Sequence, residues 1–270
     1  MSYTAFFISD GTAITAEVVG HATLSQFNFD IEQHTVPFIE YKDAALALQK
    51  RLNLCKKTTG IAPFVFFTFV DQELKKIIQE SEAICFDVLQ PFTEQISALT
   101  DNSAKPRLHR THSITDSNYD HRIEAINYAL ANDDGQTTQH YEDADVILVG
   151  VSRSGKTPTS LYLALQYGIK AANYPFIDED MDDLKLLGDL KKHKNKVFGL
   201  TIDPSRLAAI RNERLPNSKY ASVRQCRMEL REVERLYKKE KLPYINSTQF
   251  SVEEISAKNM AEMNLERHKY

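Results

Sequence analysis

Short apolar runs alternate with amphipathic stretches through the first hundred residues. Phe6-Phe7-Ile8 predicts a strand, with a helix following near Thr12 to Gln26. His34 to Ile39 predicts a second strand, and a helix follows from about Asp43 to Cys55. Phe64 to Val70 is a strongly apolar strand, Gln72 to Gln79 reads as helical, and Ala83 to Val88 predicts a fourth strand. Strands that alternate with helices form βαβ units, and these build a mostly parallel sheet.

Thr100 to Thr115 breaks the rhythm. It is polar, contains Pro106 and carries Arg107, His109, Arg110 and His112, so it reads as a linker or crossover. A helix is expected from Tyr119 to Asn132, then a turn at Asp133-Asp134-Gly135, where glycine can take a positive φ. Asp145 to Val149 is a short apolar run rich in β-branched residues and reads as a buried strand. A helix at Thr159 to Tyr167, a weak strand at Val197 to Thr201 and a strand at Pro243 to Asn246 complete a second α/β sheet. From about Tyr220 to Lys241, Val223, Cys226, Leu230, Val233 and Tyr237 step by three and four, which gives a helix one apolar face. Arg224, Arg227, Arg231, Arg235 and Lys238 lie largely on the other side, either as a solvated face or as a docking surface for an acidic partner or a phosphate.

Between the Asp145 strand and the Thr159 helix stands Gly150-Val151-Ser152-Arg153-Ser154-Gly155-Lys156-Thr157, which fits G-x-x-x-x-G-K-[ST] at every fixed position. Strand, glycine loop and helix together make a phosphate site, because the loop turns backbone N–H groups inward and the helix N-terminus adds partial positive charge. Lys156 is placed to reach the terminal phosphates and Thr157 to offer its hydroxyl to Mg²⁺. Arg153 either braces a phosphate or points to solvent. Pro158 has no N–H to give, so the phosphate must be held somewhat differently from the common form. The expected fold class is therefore α/β. Residues 1–105 form a doubly wound, mostly parallel N-terminal domain, and 106–270 form a P-loop kinase-like domain, with 106–118 as linker or crossover. No solenoid-type repeat is visible.

Phosphoryl transfer also needs a carboxylate for the metal and a group to handle the acceptor. Asp203 ends a strand and either holds Mg²⁺ or caps the helix begun by Pro204 and Ser205. Asp133 and Asp134 are an acidic pair or an ordinary turn, and Asp178, Glu179 and Asp180 read as a solvated loop. Ser9-Asp10-Gly11-Thr12 sits at the end of the first strand, where open α/β sheets place ligand residues, though Asp10 or Thr12 could simply cap the next helix.

Composition narrows the classes. A net charge of −4 argues against a nucleic-acid partner, which usually needs a basic face. The three cysteines, Cys55, Cys85 and Cys226, form no C-x-x-C pair, so buried thiols in a reducing cytoplasm are expected. The first ten residues lack the basic region and long apolar stretch of a signal peptide, and no apolar run approaches a membrane span, so no membrane partner is expected.

Gly150 to Ala164, followed by Lys170-Ala171-Ala172-Asn173-Tyr174-Pro175, resembles the bacterial phosphoenolpyruvate synthase regulatory proteins, which belong with the regulatory proteins of pyruvate, phosphate dikinase. The resemblance extends to Ile8–Glu17, Asp133-Asp134-Gly135, Gly199-Leu200-Thr201, Arg206-Leu207, Ile210-Arg211 and Arg214-Leu215, and so covers essentially the whole chain. It implies a bifunctional enzyme whose protein substrate is phosphoenolpyruvate synthase. ADP serves to phosphorylate a target threonine and inactivate the synthase, while inorganic phosphate serves to remove that group, releasing pyrophosphate. It implies ADP bound across Gly150–Thr157, Mg²⁺ or another divalent cation, and roles for Lys156, Arg153, Asp10, Asp133 and Asp134 in transfer. The dikinase as target, a non-catalytic ADP-sensing module and a kinase for a small metabolite are the other readings, and the oligomeric state stays open, a homodimer included.

Overall fold

The computed structural model describes residues 2–104, 117–135, 138–177, 181, 184–186 and 188–266. The chain forms two compact units, Met1–Ser113 and Ile114–Tyr270. In the first, β1 (Tyr3–Ser9), β2 (Ile31–Val36), β3 (Phe64–Thr68) and β4 (Ile84–Asp87) alternate with α1 (Ile14–Leu24), α2 (Lys42–Thr59), α3 (Gln72–Gln79) and α4 (Gln90–Thr100). Every strand pair is parallel and the order is β2-β1-β3-β4. Both faces of β1 are apolar because both are covered. Phe6 and Ile8 pack with Leu48 and Leu52 of α2 and Leu74 and Ile78 of α3. Ala5 and Phe7, one step out of phase, pack with Ala16 and Leu24 of α1 on the opposite face.

The second unit contains α5 (Ser117–Ala131), β5 (Val146–Val151), α6 (Lys156–Tyr167), β6 (Ala171–Phe176), α7 (Gly188–Lys192), β7 (Val197–Thr201), α8 (Pro204–Arg214), α9 (Val223–Glu240), β8 (Tyr244–Asn246) and α10 (Val252–Met263). Its sheet is again all parallel, in the order β6-β5-β7-β8. Ile147, Val149 and Val151 pack with Leu207 of α8 and Val233 and Tyr237 of α9, while Val146 and Leu148 face Leu163 of α6 and Met260 of α10. Counted within each unit, the strands run second, first, third, fourth in both sheets. The repeat that is invisible in the sequence is thus present in the topology. In such a sheet the strand order reverses between the first and third strands, and the carboxyl ends of those two strands frame the ligand crevice. Gly150–Thr157 begins in the last two residues of β5, the first strand of its sheet, and runs into α6.

The α/β class and the parallel sheets agree with the sequence pattern, and several boundaries shift. β2 lies three residues earlier than expected and has ended before Phe38, whose φ of 57° is incompatible with an extended strand. β6 escaped the pattern because Asn173 and Pro175 interrupt its apolar run, and proline suits the edge position it occupies. α4 begins with Pro91 in its first turn, where proline is tolerated. α10 is announced by a capping box, Ser251 with Glu254, that the apolar periodicity did not reveal. The expected linker residues Arg107, His109, Arg110 and His112, and the acidic run Asp178, Glu179 and Asp180, lie outside the described residues. Cys55, Cys85 and Cys226 are free thiols, of which only Cys226 is fully buried. Among the described residues no helix is long and apolar enough to cross a membrane.

Tyr237 ties α9 to the sheet. Its ring is fully buried, and its hydroxyl is 3.0 Å from the Val149 carbonyl and 3.2 Å from that of Leu200. Gly199 makes room for the ring: a Cβ there would meet Tyr237 carbons at 2.7 Å and Tyr244 Cβ at 2.9 Å. Gly199→Ala should therefore overpack this contact and cost about 1–3 kcal/mol. A chemical-denaturation midpoint unchanged from the parent would show that the ring is not held against Gly199.

Candidate functional site

The phosphate-loop sequence adopts the conformation its glycines permit. Gly155 has a φ of 98° and forms the N-cap of α6, a backbone geometry that a side chain would oppose. Gly150 is needed for close approach, since a Cβ there would lie 2.5 Å from the Leu200 carbonyl oxygen. Ser154 N–H donates to the Val151 carbonyl at 3.3 Å, closing the turn. The amides of Arg153, Gly155, Lys156 and Thr157 have no acceptor among the described residues. The Ser154 hydroxyl is likewise buried without a partner there. A buried donor normally finds a partner, so this hydroxyl, together with these amides in a glycine loop at a helix N-terminus, suits an anion. Pro158 occupies the third position of α6, where an N–H would have had no intrahelical acceptor.

Lys156 is buried, and its Nζ donates to the Val151 carbonyl at 3.0 Å. Burial depresses its pKa to about 8, against the opposing pull of Asp134 and Asp133. The lysine is therefore mostly charged near neutral pH and loses that charge more readily than an exposed lysine.

Asp133, Thr157 and Asn173 form a compact polar cluster beside the loop. Thr157 Oγ1 donates to Asp133 Oδ1 at 2.9 Å. Asn173 Nδ2 also donates to Asp133 Oδ1 and lies 3.5 Å from Thr157 Oγ1. Asn173 is fully buried on β6, and its Oδ1 accepts the Asp134 N–H at 3.0 Å. The Asp133-Asp134-Gly135 turn, with Asp134 at a φ of 50°, is thus pinned to the sheet by one side chain. A hydroxyl and a carboxylate of this kind, at the mouth of a phosphate loop, are suitable ligands for a hard divalent cation. Asn173 was quoted in the sequence only as part of a resemblance. Its role becomes visible once β6 is laid beside β5.

Arg211 was also only a motif residue. It is the largest fully buried side chain, held by Glu229 through Nη1–Oε1 at 3.0 Å and Nη2–Oε2 at 2.7 Å. Gln225 donates to the same carboxylate at 3.1 Å, and the Tyr220 ring stacks 4.1 Å from the guanidinium. The arginine also donates from Nη1 to the Tyr220 carbonyl at 3.1 Å and turns Nη2 and Nε to the loop, 3.2 and 3.4 Å from the Ser152 carbonyl. A trans amide points its N–H opposite to its C=O. Holding the Ser152 carbonyl toward Arg211 therefore aims the Arg153 N–H away from it. Arg153 takes a φ of 72°, a left-handed conformation uncommon for a residue with a side chain, and that side chain is exposed. Ser152 Oγ meets the Tyr220 hydroxyl at 3.0 Å.

Two other acids named from the sequence accept backbone amides. Asp203 caps α8, its Oδ1 accepting Ser205 and Arg206 N–H at 2.8 and 3.1 Å, which is the alternative held open beside a metal role. Asp10 belongs to the first unit. It is buried, and its Oδ2 accepts Val70 N–H at 2.6 Å and Asp71 N–H at 3.1 Å.

Comparison with known proteins bears on the same residues. The profile of the kinase/pyrophosphorylase family matches residues 5–260. A protein of Colwellia psychrerythraea is 58% identical over 266 residues, covering 98% of this chain and 99% of that protein. Proteins of Pseudoalteromonas translucida and Shewanella pealeana are 55% and 54% identical, covering 99% and 98% of each chain. All three are named as phosphoenolpyruvate synthase regulatory proteins.

Two expectations follow from this geometry. Lys156 binds an anion as a cation, so affinity should be level below its pKa of about 8 and fall as pH rises through it. Nucleotide titrations in metal-free buffer across that range check this, and Lys156→Arg should remove the alkaline fall. A parent affinity that stays level well above pH 8 would rule the lysine out as the cationic contact. The second expectation concerns Arg211. Arg211→Met strands the Glu229 charge and should cost about 3–5 kcal/mol. Adding Glu229→Leu should restore most of that stability while nucleotide affinity stays low, because nothing then holds the Ser152 carbonyl. Parent-like affinity in the double variant would mean that the loop orients itself.

Proposed function

The chain belongs to the kinase/pyrophosphorylase family, and from that premise we propose that it regulates phosphoenolpyruvate synthase by reversible phosphorylation of a threonine. In one direction the β-phosphoryl group of ADP moves to the threonine oxygen, and AMP and the hydroxyl proton leave. In the other, inorganic phosphate takes the phosphoryl group from phosphothreonine, giving pyrophosphate and the free hydroxyl. The observation that carries this reading is the loop itself: four amides and a serine hydroxyl without partners among the described residues, and a buried lysine, converge beside an aspartate–threonine pair.

Each side chain has a task in that reading. The Arg153, Gly155, Lys156 and Thr157 amides and the Ser154 hydroxyl bind phosphate oxygens, and Lys156 matches the charge that develops during transfer. Thr157 Oγ1 and Asp133 would hold a divalent cation, which would supply charge neutralisation for the phosphates. Asp134, exposed and next to Asp133, receives the threonine proton in the forward direction. Asn173 and Arg211 are positioning residues: the first orients the Asp133–Thr157 pair, the second the 152–153 peptide. The names carried by the relatives support the synthase as the protein substrate.

Both reactions need a cradle for two neighbouring phosphates, and one loop serves both. ADP labelled in its β-phosphate should therefore label the synthase, Lys156→Ala should abolish this with the circular dichroism unchanged, and ADP should compete with phosphate in the dephosphorylation assay. Label transfer undiminished in Lys156→Ala would end the assignment. A phosphate-dependent reaction indifferent to ADP would require two separate sites.

A further inference from the structure

The long helix α9 sorts its charges by direction. Its four glutamates all turn inward or are engaged. Glu229 pairs with Arg211, Glu234 accepts from Thr201 Oγ1 at 2.7 Å, Glu240 pairs with Lys194 at 2.7 Å, and Glu232 faces Arg235 at 3.7 Å. The cations Arg224, Arg227, Arg231, Arg235 and Lys238 are exposed. At roughly 100° per residue these five fall within an arc of about 80° and run along about 21 Å of helix. Arg224, Arg227 and Arg231 pair with no acid among the described residues. A chain of net charge −4 thus concentrates uncompensated positive charge in one straight line.

The N-terminal end of the helix lies beside the phosphate loop, while the stripe is on the face turned away from Glu229. Tyr220, two residues before the Ser222 N-cap of α9, contacts Ser152, and Glu229 on the buried face of the helix anchors Arg211 against the same loop residue. We propose that this arginine stripe is the surface on which an acidic face of the protein substrate docks. The inference rests on the function proposed above. A partner docked on this outer face and reaching past the N-terminal end of α9 would meet the phosphate loop, and the arginines offer fork-shaped donors matched to carboxylates. The overall negative charge disfavours a polyanion such as RNA, which answers to the field of the whole chain as well as to one stripe.

The test uses the full chain and purified synthase. Arg227→Glu with Arg231→Glu reverses the centre of the stripe, and Arg227→Gln with Arg231→Gln neutralises it with less risk to the fold. Nucleotide affinity and melting temperature should match the parent. Affinity for the synthase should fall about tenfold or more at low salt in the Glu pair, and less in the Gln pair, with the difference narrowing as salt rises. If the Glu pair melts early, the Gln pair decides by the same comparison. Parent-like synthase binding in the folded variants overturns the docking surface and leaves the function standing. So does a loss of RNA binding with synthase binding intact. A parent that neither binds nor labels the synthase overturns the function, and the docking surface with it.

Discussion

A single buried guanidinium fixes the geometry on which the second unit depends. Arg211 joins α8 to α9 through Glu229 and holds both to the phosphate loop through the Ser152 carbonyl. Burying such an ion pair brings little net stability, because removing two charges from water costs about as much as their attraction returns. An apolar cluster could hold the two helices equally well. It could not orient a peptide. The bidentate pair spends its directionality on the 152–153 amide plane, and with that plane set, Arg153 is kept in a left-handed conformation it would otherwise leave.

The shared strand order sharpens the contrast between the units. After β5 the chain leaves four amides unpaired beside a lysine. After β1, at the equivalent place in the first sheet, the Asp10 carboxylate accepts the Val70 and Asp71 amides. The Ser9 hydroxyl likewise takes the Gly11 amide at 2.9 Å. The first unit closes its crevice with its own negative charge, where the second presents donors. One topology thus frames two chemically opposite ends. The likeness of Ser9–Thr12 to the phosphate loop in position is not a likeness in charge.

What could be read in the sequence divides along the same lines. The phosphate loop, its strand and its helix were legible because their determinants are contiguous: apolar run, glycines, lysine, then helix formers. Asp133 was visible as an acid, but its contact with Thr157 was not, because that contact depends on β6 pairing with β5 and bringing Asn173 alongside. Arg211 and Glu229 stand eighteen positions apart in two different helices, each on a buried face whose pattern reads as amphipathic whatever the charge does. Asp203 shows the opposite case. A strand ending in aspartate before Pro-Ser supports a cap and a metal ligand equally, and only the 2.8 Å bond to Ser205 separates them.

The unpaired donors also explain how one loop could serve two reactions that are not reversals of each other. In the proposed function, threonine phosphorylation would consume a nucleoside diphosphate, and dephosphorylation would consume phosphate and produce pyrophosphate. Their common element is two adjacent phosphates next to a threonine oxygen. The cradle recognises that element with backbone amides, which are fixed in place and indifferent to what lies beyond the second phosphate. A buried lysine, its pKa lowered to about 8, adds a positive charge beside them. Nothing in such an arrangement needs to move between the two directions. Direction would then follow from which ligand fills the cradle and whether the threonine arrives phosphorylated. The protein substrate would choose the reaction, and the geometry set by Arg211 and Asn173 would remain common to both.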